Sequence, residues 1–366
     1  MNYAKRIDKL QAILRRQKVD ALLVSQPENR RYLSGYTGGD HGIGETSGLL
    51  LIPARGRVHL LTDFRYRLQA EQDVPWATVL LYPKGLLKLL PQLLPDLGIS
   101  SLAFESHYTL HATAARLGEL LGKAGIATVP LKGVVEKMRL IKDDDEIACI
   151  RRSVALNEEV FQEIFPAIRP GQTEIETALA IEAAMRLKGA EGPSFPSIIA
   201  SAERSALPHA VPSAMQIAKD RPLTVDMGLI LDGYCSDMTR TFVPGKADAK
   251  FLELHRLVRR AQLAGMRAIR AGVRASKVDR AARAVIADAG YGQAFGHALG
   301  HGVGLAVHED PRLSALNNKQ LRAGMVVTVE PGVYLPGWGG IRLENMVVVR
   351  EDGCENLNTD STWLDV

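Results

Sequence analysis

Residues 223–243, with the sequence LTVDMGLILDGYCSDMTRTFV, contain two strand-like segments on either side of Asp232 and Gly233. An Asp-Gly pair between hydrophobic strands is a strong signal for a two-residue hairpin turn. With that turn, Asp226 lies diagonally opposite Asp237 on the same face of the hairpin, because side chains alternate along a strand. Diagonal Cβ atoms are about 7–8 Å apart. The hairpin therefore predicts two carboxylates close enough to hold one metal cluster.

A carboxylate inside a hydrophobic strand is unfavourable unless its charge is compensated. Two carboxylates on one face also repel each other. Either one of the two is protonated or cations lie between them. Two partly exposed aspartates without a ligand form the competing interpretation, and the hairpin by itself leaves both open.

Two glutamates occupy similar positions in other hydrophobic segments. Glu330 ends a strand predicted for residues 325–330, immediately before a Pro-Gly turn. Glu344 shares one face with Arg342 in a strand predicted for residues 340–349. Both glutamates are therefore candidates to join the aspartates of the hairpin.

The segment 296–309, GHALGHGVGLAVHE, places His297 and His301 four residues apart. That spacing occurs in the helix of zinc proteases, but the intervening glutamate is missing here. Three alternating glycines also make a regular helix improbable. The segment therefore predicts a tightly bent loop that presents imidazoles.

Five side chains form the predicted donor set: Asp226, Asp237, His301, Glu330 and Glu344. Their four negative charges balance two divalent cations. Ligation by oxygen with one nitrogen suits manganese, cobalt, iron or zinc. Two such ions about 3.5–4 Å apart can share a water, lower its pKa and polarise a carbonyl group. The chemistry implied by the donor set is hydrolysis.

The length of 366 residues is enough for two domains at about 150 residues each. A net charge of +4 gives little reason to expect a nucleic-acid or membrane partner. The three cysteines form no CxxC pair, which indicates neither a disulfide framework nor a thiolate zinc site. The N-terminus resembles no signal peptide and no apolar run is long enough to span a bilayer, so we expect a cytoplasmic protein.

Predicted helices and strands alternate along the chain. Short strands are predicted at 21–24, 47–52, 58–61, 78–82 and 102–104, with helices near 86–94 and 110–121 between and after them. This pattern is typical of an α/β domain. Capping signals at Asp143, Thr173 and Asp248 predict three longer helices in the remainder of the chain. The third helix carries an arginine-rich face, interpreted as a solvated surface.

Five ordered motifs resemble those of the pita-bread metallopeptidases, within the Xaa-Pro peptidase branch that comprises aminopeptidase P and prolidase. They are TVDMG (224–228), YCSDMTRT (234–241), GHGVG (300–304), TVEPGVY (328–334) and GIRLEN (340–345). The stretch NRRYLSGYTG (29–38) is similar to the creatinase-type N-terminal domain of that family. The resemblance implies an α/β (α+β) protein with a creatinase-like domain at 1–136 and a pseudo-twofold pita-bread catalytic domain at 137–366.

The resemblance also implies a role for each member of the donor set. Asp226 would bind one metal ion through both oxygens, while Asp237 and Glu344 would bridge two ions. His301 and Glu330 would bind the second ion, and Glu330 would also carry a proton from the attacking water to the leaving nitrogen. The implied cofactor is two divalent ions per chain, manganese first, with cobalt, zinc or iron as alternatives.

Three further histidines, His209, His297 and His308, match the family's active-site histidines that are not ligands. The resemblance implies that they donate hydrogen bonds to the carbonyl or oxyanion of the substrate. Loop histidines that only satisfy backbone carbonyls are the alternative. Arg342 either pairs with a substrate carboxylate or braces the metal-binding carboxylates.

The function expected from these motifs is Xaa-Pro aminopeptidase activity on proline-containing peptides. An Xaa-Pro dipeptidase, acting only on dipeptides, is the alternative. Methionine aminopeptidase, a creatinase-like amidinohydrolase and a non-catalytic binding module on the same fold are more distant candidates. The family analogy also implies a homodimer, in which the loop near residues 38–41 approaches the partner's active site.

Overall fold

The computed structural model describes residues 1–361, and the chain divides into two compact units. The first unit is Met1–Arg139 and the second begins at Leu140. The boundary expected after residue 136 stays a prediction. No helix within residues 1–361 combines the length and apolarity needed to cross a bilayer.

The first unit is a six-stranded sheet in the order β4-β3-β2-β1-β5-β6, with helices on it. Strands β1 and β5 are parallel, whereas β2 runs antiparallel to both of its neighbours. The strands are β1 (Ala21–Val24), β2 (Leu49–Pro53), β3 (His59–Thr62), β4 (Thr78–Leu81), β5 (Ser101–Glu105) and β6 (Ala127–Leu131). The helices are α1 (Tyr3–Arg16), α2 (Pro27–Ser34), α3 (Arg67–Asp73), α4 (Leu86–Asp96), α5 (His111–Lys123) and α6 (Val134–Arg139).

The five strands predicted in this unit are confirmed, with ends shifted by one or two residues. The sequence did not reveal β6, an edge strand that contains Pro130 and buries none of its residues completely. Such a strand lacks the hydrophobic pattern on which prediction depends. The short helices α2, α3 and α6 were missed because each is too brief to show a helical period.

The second unit has two pairs of helices, each beside antiparallel strands. Helices α7 (Asp144–Ile164) and α8 (Glu174–Leu187) form the first pair, and α9 (Ala249–Ala268) and α10 (Ala275–Asp288) the second. The three predicted caps are confirmed, because Asp143, Thr173 and Asp248 each accept a hydrogen bond from a backbone N–H in the first turn.

The strands of the second unit form two larger groups and a separate hairpin. Beside α7 and α8 lie β7 (Gly192–Pro193), β8 (Ile198–Ser201), β9 (Leu223–Met227), β10 (Leu229–Leu231), β11 (Tyr234–Cys235) and β12 (Met238–Phe242). The second group contains β13 (Gly300–Gly302), β14 (Glu309–Leu313), β15 (Val326–Val329), β18 (Asn345–Val349) and β19 (Cys354–Asn356), and β16 (Gly332–Leu335) pairs with β17 (Gly339–Arg342).

The predicted hairpin and its register are confirmed. Leu231 pairs with Tyr234, so Asp232 and Gly233 form the two-residue turn, with φ of 52° and 83° as a type I′ turn requires. The ladder continues in the same register through β9 and β12. The ladder is interrupted at Gly228. Glycine is needed there because a Cβ would lie 2.1 Å from the carbonyl oxygen of Ser236.

One prediction about local structure was wrong and a second was only partly right. The strand predicted for 340–349 is broken, because the Leu343 N–H donates to Pro331 and the Glu344 N–H donates to Thr239, at 3.4 and 3.1 Å. These bonds divide it into β17 and β18. The segment 296–309 is not wholly a loop, since His301 lies within β13, which pairs with β14 and β15. In both cases the deciding hydrogen bonds come from distant parts of the sequence.

Candidate metal centre

All nine predicted site residues line one cavity of about 390 Å³ in the second unit. Each comes from a strand, from a strand end or from a loop between elements. The residues are Asp226, Asp237, His301, Glu330 and Glu344 of the donor set, together with His209, His297, His308 and Arg342. The structure therefore brings together side chains that are up to 135 positions apart in the sequence.

His301 lies between two acids of the donor set. Its Nε2 is 3.4 Å from Asp237 Oδ2 and 3.4 Å from Glu330 Oε1. Its Nδ1 is 3.1 Å from the carbonyl oxygen of Gly302, which identifies Nδ1 as the protonated nitrogen. In neutral His301 the lone pair of Nε2 therefore points toward the acids, which is the orientation of a metal-binding histidine.

The carboxylates of the donor set repel each other when all are ionised and no cation is bound. Burial and the neighbouring Asp226 and Glu330 raise the pKa of Asp237 well above its ordinary value. Burial, followed by Asp237 and Asp226, does the same to the pKa of Glu344. Burial and Glu344 raise the pKa of Glu330 to about 8. Such shifts are expected where anionic groups converge on a site built for positive charge.

The donor atoms fit a metal site. One potential ligand atom from each of Asp237, His301 and Glu344 lies within 4.8 Å of the others. Asp226 Oδ1 and Glu344 Oε1 are buried and accept no hydrogen bond from any residue of 1–361. A buried carboxylate oxygen without a partner carries a large desolvation penalty. A divalent ion would satisfy both oxygens.

Arg342 contacts the acids of the donor set and their neighbours. Its Nη2 donates to Asp226 Oδ2 at 2.7 Å, and its Nε donates to Thr239 Oγ1 at 3.1 Å. The Thr239 hydroxyl donates in turn to Glu344 Oε2 at 2.7 Å. The guanidinium is thus engaged by the protein rather than directed toward a substrate carboxylate.

His297 is not positioned to donate to a substrate, contrary to the role implied by the resemblance. Its Nδ1 is 2.8 Å from the carbonyl oxygen of Ala298, and its Nε2 is 2.9 Å from the hydroxyl of Tyr334. Burial lowers the pKa of His297 to about 4, so the ring is neutral. The Tyr334 hydroxyl donates to His297 and accepts from Arg342 Nη1 at 2.8 Å. Both ring nitrogens are therefore occupied.

His308 remains available to a substrate. Its ring lies edge-on to His301, with ring centroids 4.3 Å apart. Burial and the neighbouring His301 and Arg312 lower the pKa of His308 to about 4, so it is a neutral donor at physiological pH. His209 is exposed and lies on the loop that forms another wall of the cavity.

Three important residues were missed by the sequence reasoning: Thr239, Tyr334 and Arg312. Thr239 and Tyr334 lie inside quoted motifs, so their motif positions were the available signal. Arg312 lies on β14 and lines the cavity, and its guanidinium forms no ion pair within residues 1–361. Nothing in its local sequence distinguishes it from other surface arginines.

Replacement of Tyr334 by phenylalanine tests the network behind the acids. The change leaves His297 Nε2 and Arg342 Nη1 without a buried partner, so we expect the free energy of unfolding to fall by about 1–3 kcal/mol. Thermal unfolding of the metal-loaded protein measures this loss. Tyr291→Phe is the matched control, since the Tyr291 hydroxyl forms no hydrogen bond within residues 1–361, and an equal loss in both variants would contradict the network.

A buried cluster of four acids and an imidazole, beside apolar walls, defines a metal-dependent enzyme. The chain belongs to metallopeptidase family M24, whose sequence profile matches residues 148–351. The profile of the Creatinase/Prolidase N-terminal domain matches residues 6–141. The predicted family and fold class are thereby confirmed.

Relatives of this chain include both kinds of Xaa-Pro peptidase. An Xaa-Pro dipeptidase of Pyrococcus horikoshii is 33% identical over 96% of both chains. The structure of an Xaa-Pro dipeptidase from Bacillus anthracis is 36% identical, with a TM-score of 0.91 and 98% of both chains covered. The X-Pro aminopeptidase from Thermotoga maritima is 35% identical, with a TM-score of 0.90 over 97% of this chain and 98% of that one.

Proposed function

We propose that this protein is an Xaa-Pro dipeptidase, which hydrolyses dipeptides that end in proline. The observation that carries the proposal is Arg312, a cation in the cavity wall without an acidic partner in the described chain. A dipeptide presents a free carboxylate next to its proline, and a guanidinium is well suited to bind it. The two relatives named Xaa-Pro dipeptidase support this choice over the aminopeptidase expected first from the sequence.

The donor set would hold two divalent cations, with manganese as the first candidate. The residues that would hold these ions are Asp226, Asp237, His301, Glu330 and Glu344. Bound ions would polarise the scissile carbonyl and lower the pKa of a water. The charge balance of the donor set and its unsatisfied buried oxygens support this assignment.

The remaining steps belong to side chains around the donor set. Glu330 accepts the proton of the attacking water on a carboxylate oxygen and delivers it to the proline nitrogen. His308, held neutral, donates a hydrogen bond to the carbonyl oxygen as negative charge develops there. Arg342 keeps Asp226 in place, and His297 with Tyr334 keeps Arg342 in place.

Proline specificity follows from the chemistry of the bond. The scissile bond joins the carbonyl carbon of Xaa to the proline nitrogen. This bond is a tertiary amide, so the substrate offers no N–H at that position. Part of the cavity wall is apolar surface that a pyrrolidine ring can contact, formed by Phe195, Pro196, Ile198 and Pro208. A homodimer and a cytoplasmic location remain part of the proposal and rest on family analogy.

Arg312→Ala distinguishes the two Xaa-Pro activities. Loss of a charge-assisted hydrogen bond of about 1.5–3 kcal/mol should raise KM for an Xaa-Pro dipeptide by about 10–100-fold. The corresponding Xaa-Pro amide, which lacks the carboxylate, should be unaffected. Steady-state kinetics on both substrates make the comparison.

Lys319→Ala is the control for the Arg312 variant, because Lys319 is a 78% exposed cation on the loop after β14. The wild-type protein should also cleave Xaa-Pro faster than Xaa-Pro-Xaa. Faster cleavage of the tripeptide would identify an aminopeptidase instead. Equal effects of Arg312→Ala on the KM for dipeptide and amide would show that Arg312 does not bind the substrate carboxylate.

A further inference from the structure

We propose that Glu174 and Arg204 are positioning residues that hold residues 202–213, the pocket loop, as a rigid wall of the substrate cavity. Neither residue belongs to the quoted motifs or to the donor set. The proposal deepens the proposed function, on which its kinetic part depends. The two side chains would affect substrate affinity through the loop, without contact with the reacting atoms.

The pocket loop forms a large part of the cavity wall. Five consecutive residues of the loop line the cavity, from Pro208 through His209 to Pro212. Val211 is 76% exposed and Leu207 is 53% exposed, although both are apolar. Apart from a short 3-10 helix at Ala202–Ala206, the loop has no regular secondary structure. A few backbone hydrogen bonds, such as the one from the Ala210 N–H to the Leu207 carbonyl oxygen, hold it locally, and side-chain contacts join its parts.

Glu174 joins the two ends of the pocket loop. Its side chain, in the first turn of α8, is completely buried. One carboxylate oxygen accepts from the Ser201 N–H at 2.9 Å, and the other accepts from the Ser213 N–H at 3.0 Å and from the Ser213 hydroxyl at 2.7 Å. Ser201 precedes the loop and Ser213 ends it, so a single carboxylate closes the loop at its base.

Arg204 joins the base of the loop to its tip. Its Nε donates to both oxygens of Glu174, at 3.1 and 3.0 Å. Its Nη2 donates to the carbonyl oxygen of Val211 at 2.6 Å. The guanidinium therefore compensates the buried charge of Glu174 and also fixes the backbone beside the cavity-lining side chains.

The base of the loop is also anchored on β17, the strand that carries Arg342. The Gly340 N–H donates to Ser205 Oγ at 2.8 Å. A Cβ at Gly340 would lie 2.3 Å from the carbonyl oxygen of Ser205, so glycine is required for this approach. The base is thus held from two sides, whereas the tip is joined to the base by the Arg204 contact with Val211, beside a local backbone hydrogen bond from Ala210 to Leu207.

This arrangement predicts an effect on substrate affinity more than on the chemical step. A loop that is disordered before binding must lose conformational entropy when it closes on substrate, which weakens binding. The donor set lies on other segments, so metal binding does not require the loop. Release of the tip should therefore raise KM much more than it lowers kcat.

Arg204→Ala tests the proposal on the metal-loaded protein. Because the Arg204 side chain is 29% exposed and Glu174 keeps its Ser201 and Ser213 donors, the variant should fold. We expect KM for an Xaa-Pro dipeptide to rise about tenfold, as loss of one charge-assisted contact would give, with kcat changed less than about threefold. Thermolysin should cleave the pocket loop faster, while the bound metal per chain stays the same. Arg204→Lys should restore part of the affinity.

Glu203→Ala is the matched control, because Glu203 is an exposed neighbour on the same 3-10 helix. It should retain wild-type KM and wild-type resistance to thermolysin. The proposal is overturned if Arg204→Ala keeps the wild-type KM or the wild-type cleavage rate, or if metal content falls with activity. A wild-type chain inactive on Xaa-Pro dipeptides would refute the proposed function, and the cleavage rates alone would then decide the role of Arg204.

Discussion

Asp237→Ala should abolish peptidase activity, with a loss in kcat of more than about a thousandfold, while the chain stays folded. Asp237 is one of the two members of the donor set for which the family resemblance implies contact with both ions, so its loss would disrupt the whole centre. The metal-free variant should unfold at a temperature at least as high as the metal-free wild type. The reason is that the substitution removes one of several buried acids that repel each other.

Two measurements separate this expectation from simple misfolding. Circular dichroism should show wild-type secondary structure, and metal analysis should show fewer ions per chain. Asp232→Asn is the control, because Asp232 lies in the turn of the same hairpin, where its side chain is 56% exposed and pairs with Arg152 at 2.6 Å, and asparagine accepts the same positive φ. Exposed ion pairs contribute about 0–1 kcal/mol, so that variant should be fully active. Wild-type turnover of Asp237→Ala under excess manganese would refute the assignment.

Removal of metal should eliminate activity and destabilise the protein in a pH-dependent manner. A ligand present at about 1,000 times its Kd stabilises the folded state by about 4 kcal/mol. Manganese should therefore raise the Tm of the chelated protein by several degrees and restore activity. Calcium, which prefers six to eight oxygen ligands, should do so much less well.

The pH dependence follows from the raised pKa values of the acids. In the metal-free protein the pKa of Glu330 is about 8, above its ordinary value of 4.5, so the folded state binds a proton that the unfolded state has released. Stability is then lost as pH rises through about 8. The raised pKa values of Asp237 and Glu344 act in the same direction. The stabilisation by manganese should therefore be larger at pH 8.5 than at pH 7.5.

The range above pH 7.5 is chosen because desolvated histidines also change the stability at lower pH. Desolvation lowers the pKa of His255, His297 and His308 to about 4, below the ordinary value of 6.5, so these rings become protonated on unfolding and add stability as pH rises toward about 7.5. Above that pH they are neutral in both states. A metal-free Tm that increases between pH 7.5 and 8.5 would contradict the shifts of the acids, and Glu330→Gln should reduce the decrease.

The hairpin and the helix starts were predictable from the amino-acid sequence alone, because they depend on residues that are neighbours in the chain. The Asp-Gly turn fixed the hairpin, because only a few residue pairs accept two consecutive positive φ values. Strand alternation then placed Asp226 and Asp237 on one side of the hairpin. The caps at Asp143, Thr173 and Asp248 marked helix starts, because their side chains bond to backbone groups only three residues away.

Contacts between residues that are far apart in the chain became evident in the tertiary structure. It divided the segment 340–349 into two strands, directed Arg342 toward Asp226, and occupied both nitrogens of His297. It also brought Arg312 into the cavity and closed the pocket loop through Glu174. The physical reason is common to all of these: each is settled by hydrogen bonds and charges contributed by segments far away in the chain, and local residue patterns carry no information about which segments will meet.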